Sequence, residues 1–314
     1  MQKEPKIKIF VAHHKPWYIY EDDVYIPIQV WKKNAKVDLW IIWDNTWDNI
    51  SDKNSSYAEL TAQYWVWKNY DLSDVDYVWF CHYRRYMTYC YKPNIFNYLF
   101  AKNFYSSTEH KEHMWRFIGF REHNCPMKYS KNRLKKNSKK IVENIRNSEY
   151  DIYTPKKNVS IKKWIINYFW FNKKYNKEKL AETTSFWDFY IKNELANECI
   201  NLFLRKYPEQ KNILKKIDEE SEIMQWYRRH LFIMKKNLFL QYMEWLFGYL
   251  FELENLIKEK NLDVKMHWAW KNDWRFMWIF AESLINYWID WLKEKWEVKV
   301  SSKANTIMIT DFYL

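Results

Sequence analysis

Residues 75–86 read VDYVWFCHYRRY. Tyr77 to Cys81 are apolar and rich in aromatic and β-branched types, the composition of a buried strand. The run then changes abruptly to His82-Tyr83-Arg84-Arg85-Tyr86, so cations leave one end of that strand. Upstream, KIKIFVAH at 6–13 and VDLWIIWD at 37–44 carry the same strand signal. Between the second and third runs, YAELTAQYWVWKNYDL places Leu60, Tyr64 and Trp67 at helical spacing. Strand, helix and strand joined by short polar stretches predict a parallel α/β sheet. Such sheets gather ligands beyond the carboxyl ends of their strands. Three polar clusters fall at those ends: His13-His14-Lys15, Asp44 to Ser51, and His82 to Tyr86.

The 314 residues suffice for one large or two closely joined domains. Four cysteines, Cys81, Cys90, Cys125 and Cys199, are scattered without CxxC spacing, which argues against a zinc knuckle or a disulfide framework and fits a reducing cytoplasm. The opening MQKEPKIKIFVAHH lacks the apolar core of a signal peptide. No run reaches the roughly 18 apolar residues of a membrane span. The expectation is a cytoplasmic protein, at most peripheral to the inner face of the membrane.

A net charge of +12 and a pI near 9.2 call for an anionic partner: nucleic acid, a phosphorylated substrate or an anionic membrane surface. A Lys-rich coding bias explains the overall excess equally well. The glycine count is abnormal, because ordinary usage would give roughly 22, whereas the chain has 2 Gly and 21 Trp. Several tryptophans stand where turns favour glycine, Trp47 within DNTWDN and Trp31 before KKN. The expectation is that UGA codons meaning glycine have been read as tryptophan at Trp31, Trp43, Trp47, Trp79, Trp274 and Trp278. The codons themselves test this.

Farther along, 128–147 is a basic helix with its loop, and EYDIYTPKK is a short strand ending at Pro155. Residues 158–180 mix Lys with aromatics, which suits either a membrane interface or a packed helix. HLFIMKK from His230 reads as a strand, LFLQYMEWLFGYLFELENLIKEK and IFAESLINYWIDWLKEK as helices, and the tail as two strand-like runs around Val298 and Ile307.

Adjacent guanidiniums at a strand end can neutralise a diphosphate through charge-assisted hydrogen bonds. Two such arginines are also a common solvated edge. Together with ELTAQYWVWKN and the upstream DNTWDNIS, VDYVWFCHYRRY resembles the bacterial capsular and exopolysaccharide glycosyltransferases first catalogued as a domain of unknown function, DUF4422. In that family glycine stands at the positions of Trp43, Trp47 and Trp79. Later echoes are YDIYTPKK, LFIMKK, YMEWLFGYLFELE and WRFMWIFAESL, so the resemblance spans nearly the whole chain. Ser283, where arginine is usual, and His230, where Asn or Met is expected, depart from the pattern on the acceptor side.

The resemblance implies a glycosyltransferase fold of the A type, with helical additions. Residues 1–127 would be the nucleotide-sugar-binding half; 128–314 would complete the catalytic domain, with a basic insert at 128–180 and acceptor-side helices at the end. It implies transfer of a sugar from a nucleoside diphosphate, UDP-galactofuranose among the candidates, to a polyprenyl-linked glycan acceptor. The donor-binding candidates are His13, His14, Lys15, Asp44, Asp48, Glu59, His82, Arg84, Arg85 and Arg275. Because no Asp-x-Asp motif follows the third strand, Arg84 and Arg85, with His82, would replace a metal's charge. A divalent metal, Mg or Mn, on Asp44 and Asp48 is the rival to an Asx-rich turn there. Asp273 and Glu282 are the candidate bases for the acceptor hydroxyl, with Asp48 and Glu59 behind them. From other classes come a basic nucleic-acid-binding protein, for which no recognition motif is present, and a noncatalytic polysaccharide-assembly protein.

Overall fold

The computed structural model describes residues 4–90, 124–155, 193–212, 232–264, 275–296 and 298–310. The first and third expected strands are present as β1 (Ile7–His13) and, fourth in chain order, β4 (Tyr77–His82). They pair in parallel from Ile7 opposite Tyr77 to Ala12 opposite His82. Phe10, Val11 and Val78 are fully buried, as strands covered on both faces require. On its other edge β1 pairs in parallel with β2 (Tyr25–Gln29), which has no counterpart among the strands expected from sequence. Pro27 at its centre lacks a ladder donor and masks the signal.

The strand expected over 37–44 shrinks to β3 (Ile42–Trp43), which pairs with Ile28 and Gln29. Gln29 supplies the reason. Its amide donates to the Val37 carbonyl at 2.7 Å and its oxygen accepts from Leu39 N–H at 3.0 Å, so a side chain engages the backbone that a ladder would have used. Trp40, at φ 56°, then breaks the extended run.

After β4 the chain turns back as β5 (Arg85–Thr88), with Arg85 opposite His82. The rest of the sheet comes from β6 (Asn124–Lys128), β7 (Ile152–Pro155), β8 (Ile233–Lys235) and β9 (Val300–Thr310). β9 is one continuous strand where two runs were expected, running antiparallel to β5 and parallel to β6 and β7. β8 pairs antiparallel with β7 and with the start of β4. Strands from 1–127 and from 128–314 thus enter one nine-stranded mixed sheet.

Six helices are described: α1 (Asn54–Tyr57), α2 (Leu60–Asn69), α3 (Lys131–Arg146), α4 (Asn193–Lys206), α5 (Lys236–Glu259) and α6 (Phe276–Trp296). The Ser130 hydroxyl caps α3 by accepting from Arg133 N–H. One face of α3 buries Leu134, Ile141 and Ile145, and two polar anchors fix it to the sheet. Asn137 donates to the Tyr25 hydroxyl at 2.8 Å and the Met87 carbonyl at 2.9 Å, and Ser138 donates to Asp22 at 2.6 Å. The opposite face exposes Lys131, Lys135, Lys136 and Lys139.

α5 is the central core helix. It packs on β4, α2, α4 and α6, through Phe239 on Phe80, Phe247 on Trp67, and Tyr242 on Trp288. Each fully buried large side chain of this kind is worth about 1.5–3 kcal/mol. Among the described residues no helix is long and apolar enough to cross a membrane. Residues 158–180, His230 and Trp274 lie outside the described residues.

Among the described residues, five non-glycine residues take positive φ: Trp31 (61°), Trp40 (56°), Trp47 (48°), Ala58 (44°) and Asn261 (50°). Three of the five are tryptophans, and all three are exposed, at 42%, 86% and 78%. A bulky L-residue is rare in this region, whereas glycine enters it freely. Trp43 and Trp79 take no such backbone. Trp43 lies in β3 beneath the Lys32 ammonium, and Trp79 is a buried β4 residue against Phe232. Trp278 sits half-buried inside α6.

Candidate active site

Because β1 and β4 are parallel and in register, their carboxyl ends coincide. His13-His14-Lys15 and His82 to Arg85 therefore leave the sheet at one edge, joined where Tyr83 N–H donates to the Ala12 carbonyl at 3.2 Å. The buried Tyr83 ring is the hub of this edge. His13 stacks on it at 5.7 Å, His14 meets it edge-on at 5.2 Å, His82 tilts over it at 4.1 Å, and the Arg84 guanidinium lies 5.1 Å from its centre. No sequence pattern marks a tyrosine between His82 and Arg84 for this part; only the strand pairing reveals it.

Two helix starts complete the cluster. Glu59 precedes α2, and its Oε1 lies 3.5 Å from His82 Nε2. Arg275 precedes α6, which packs against α1. The Arg275 charge acts on both His14 and Glu59, and those of Arg84 and Arg85 act on Glu59 and His82. Lys15 is exposed, with its ammonium 5.8 Å from the Trp17 ring. Of the donor-binding candidates, His13, His14, Lys15, Glu59, His82, Arg84, Arg85 and Arg275 thus gather at one edge.

The histidines here are neutral at pH 7. Burial, then His14, pushes the His13 pKa down to about 4. Loss of hydration, then Lys15, Arg275 and Arg84, does the same for His14. Burial and the two neighbouring arginines hold His82 well below its usual range. Since Arg84 N–H donates to His82 Nδ1 at 3.3 Å, the ring proton of neutral His82 sits on Nε2, facing Glu59. Burial raises the Glu59 pKa, against the lowering pull of Arg275, Arg85 and Arg84.

His13 carries a stability consequence. Its pKa is depressed from 6.5 to about 4 on folding, so the unfolded chain binds the proton more readily. The contribution is intact above pH 6.5 and is lost as pH falls toward 4. Between pH 7 and pH 5 it amounts to about 2 kcal/mol. Urea titrations should show His13→Gln losing about that much less than the parent over this interval. Parallel pH profiles for the two proteins would contradict the assignment.

Asp44 and Asp48 are placed differently. Asp44 is fully buried, and each of its oxygens accepts two hydrogen bonds. Oδ1 takes Lys32 N–H and the Ser51 hydroxyl, at 3.1 and 2.7 Å; Oδ2 takes Trp31 N–H and the Thr61 hydroxyl, at 3.1 and 2.6 Å. Its acceptor capacity is spent on tying the loop after β2 to α2. Asp48 accepts from the Tyr64 hydroxyl at 3.0 Å, and its backbone is bonded to Asn69 at the far end of α2. These partners are those of a structural turn and do not fit a metal centre on Asp44 and Asp48. Among the described residues no three His, Cys, Asp or Glu side chains gather to hold a metal ion.

Glu282, half-buried, lies two turns beyond Arg275 on the same face of α6, about 10 Å along the axis. Asp273 lies outside the described residues.

The layout is a cationic edge where two parallel strands end. A family model described as a domain of unknown function, DUF4422, matches residues 8–294. The chain belongs to that family. Among solved structures this DUF4422 member is similar to the WbbM bifunctional glycosyltransferase in its apo form, with a TM-score of 0.68 and 26% sequence identity. The match covers 98% of this chain and 46% of that one, so the chain spans about half the length of the protein it resembles. No curated protein matches it. The α/β architecture, a sheet flanked by helices, is accordingly that of a glycosyltransferase-related fold.

Proposed function

We propose that this chain is a glycosyltransferase that moves a sugar from a nucleoside diphosphate to a glycan acceptor. The observation that carries the proposal is the convergence of Arg84, Arg85, Arg275 and Lys15 with three neutral histidines at the carboxyl ends of β1 and β4. A diphosphate is neutralised there by guanidiniums, both on binding and as the leaving group gains charge. His13 and His14 face the nucleoside side, and the neutral His82 keeps the arginines and Glu59 in one group. UDP-galactofuranose is the first donor to try. Glu282, or Asp273, takes the acceptor's proton. Similarity to a bifunctional glycosyltransferase supports the reaction class.

The cations do a metal's work in this account. Calorimetry at low salt should therefore show UDP or GDP binding that survives EDTA. Binding that vanishes on chelation and returns with Mn would contradict it.

The acceptor is a polyprenyl-linked oligosaccharide of surface-polysaccharide synthesis, met at the cytoplasmic face of the membrane. The exposed Lys131, Lys135, Lys136 and Lys139 stripe of α3 supports docking on anionic lipid. Vesicles containing anionic lipid should co-sediment the protein at low salt, and Lys→Glu changes along the stripe should release it.

We further infer that Trp31, Trp40 and Trp47 stand at glycine positions, the mark of UGA codons meaning glycine. Their positive φ supports this. UGG codons at all three would overturn it.

A further inference from the structure

We propose that Glu59 is the side chain that takes a hydroxyl of the transferred sugar, beside His82 and the arginines, and that it thereby selects which sugar is accepted. The proposal rests on the glycosyltransferase reading above and adds the residue that recognises the sugar.

The starting point is an unmatched atom. Glu59 Oε1 faces His82 Nε2, whereas Oε2 is buried and has no side-chain hydrogen-bond partner among the described residues. A carboxylate oxygen accepts, so a buried one left without a partner among the described residues is open to a donor on a bound ligand. Three parts of a nucleotide sugar reach such a cluster: phosphates, hydroxyls and the base. Phosphate is an anion, repelled by Glu59 and drawn to Arg84, Arg85 and Arg275 beside it. A metal cation is disfavoured for the opposite reason, since the charges of the same three guanidiniums already act on the carboxylate. A sugar hydroxyl satisfies Oε2 without opposing any of these charges.

The position on the sheet separates transferred sugar from ribose. Glu59 enters beside His82 at the end of β4, with Arg84 and Arg85. The buried His13 belongs to the end of β1, on the side of β2. With the diphosphate on the arginines, the nucleoside extends toward His13 and the sugar folds back toward Glu59. One turn along α2, on the same face, buried Gln63 has an amide oxygen that also has no partner among the described residues. It offers a second acceptor in line with the first.

The same placement argues against Glu59 as the base for in-line attack. Such a base lies across the reacting carbon from the leaving phosphate, whereas Glu59 lies among the cations assigned to that phosphate. Glu59 therefore holds and orients the donor, and it transfers no proton.

The test compares Glu59→Gln and Glu59→Ala in the full-length chain, after thermal melts confirm folding. Calorimetry uses UDP and GDP against UDP-galactofuranose, UDP-glucose and GDP-mannose. The expected result is unchanged binding of the bare nucleotide and about tenfold or greater weakening of its sugar conjugate in Glu59→Ala. Glu59→Gln, which keeps an acceptor oxygen, should fall between, and preference among sugars should change. Equal weakening of nucleotide and conjugate overturns the role of Glu59 while leaving the transferase reading intact. Full-strength donor binding with turnover abolished in both variants would make Glu59 the base and also overturn it. If the parent chain binds none of the five probes, the transferase reading fails first.

Discussion

Replacing Arg84 and Arg85 together by alanine should lower kcat/KM for the nucleotide-sugar donor by a factor on the order of 10² to 10⁴. Each guanidinium offers the diphosphate charge-assisted hydrogen bonds, worth about 1.5–3 kcal/mol apiece, and two such residues account for that range. Part of the loss should fall on kcat, because the leaving group is more charged in the transition state than in the bound donor. Arg84 is exposed in the turn between β4 and β5, so its single replacement should leave the melting temperature unchanged. The Arg84→Lys, Arg85→Lys double variant should recover only part of the activity, because ammonium groups restore charge but not the bidentate fork. A double alanine variant with the parent's donor KM and kcat would remove the cluster from the mechanism.

Replacing Trp31, Trp40 and Trp47 by glycine should stabilise the protein. A left-handed backbone costs an L-residue about 1–2 kcal/mol, from which glycine's greater freedom in the unfolded chain subtracts about 0.5–1 kcal/mol. Their separate turns make the gains roughly additive, for a total of about 1.5–3 kcal/mol, with Trp47 giving least because it stacks on Trp65 at 6.1 Å. The control has the opposite sign. Trp288, buried in α6, should cost about 4–6 kcal/mol on replacement by glycine, through its cavity and the helix interior. Chemical denaturation of the triple variant and of Trp288→Gly would show the contrast. A triple variant less stable than the parent would mean these indoles belong where they stand.

What could be read from sequence, and what could not, follows from the range of the forces involved. β1, β4, α2, α3, α5 and α6 were legible because burial imprints a composition or a period on each. β2 was hidden by Pro27, and the shortening of β3 came from a bond between Gln29 and residues 37–39 that no local pattern announces. β9 reads as two runs because Ser301, Ser302, Lys303 and Asn305 interrupt the apolar pattern, yet its pairing with β5, β6 and β7 makes one strand. At the site, the histidines and arginines stand out as clusters at strand ends. Their meeting with Glu59 and Arg275 depends on how α1, α2 and α6 pack. The role of Tyr83 as the shared ring surface depends on the register of β1 against β4. Asp44 shows the limit from the other side, since its string of Asx residues is equally a turn and a metal motif until Thr61 and Ser51 are seen to occupy its oxygens.

The most direct measurement is consumption of nucleotide sugar. Purified protein is incubated with a panel of UDP- and GDP-sugars, with and without a lipid-linked acceptor, and the released nucleoside diphosphate is quantified. The account predicts that one donor is turned over, that the acceptor accelerates it, and that the Arg84, Arg85 double alanine variant does neither. No donor consumed under any condition, together with salt-sensitive binding of oligonucleotides by the same cationic edge, would contradict it.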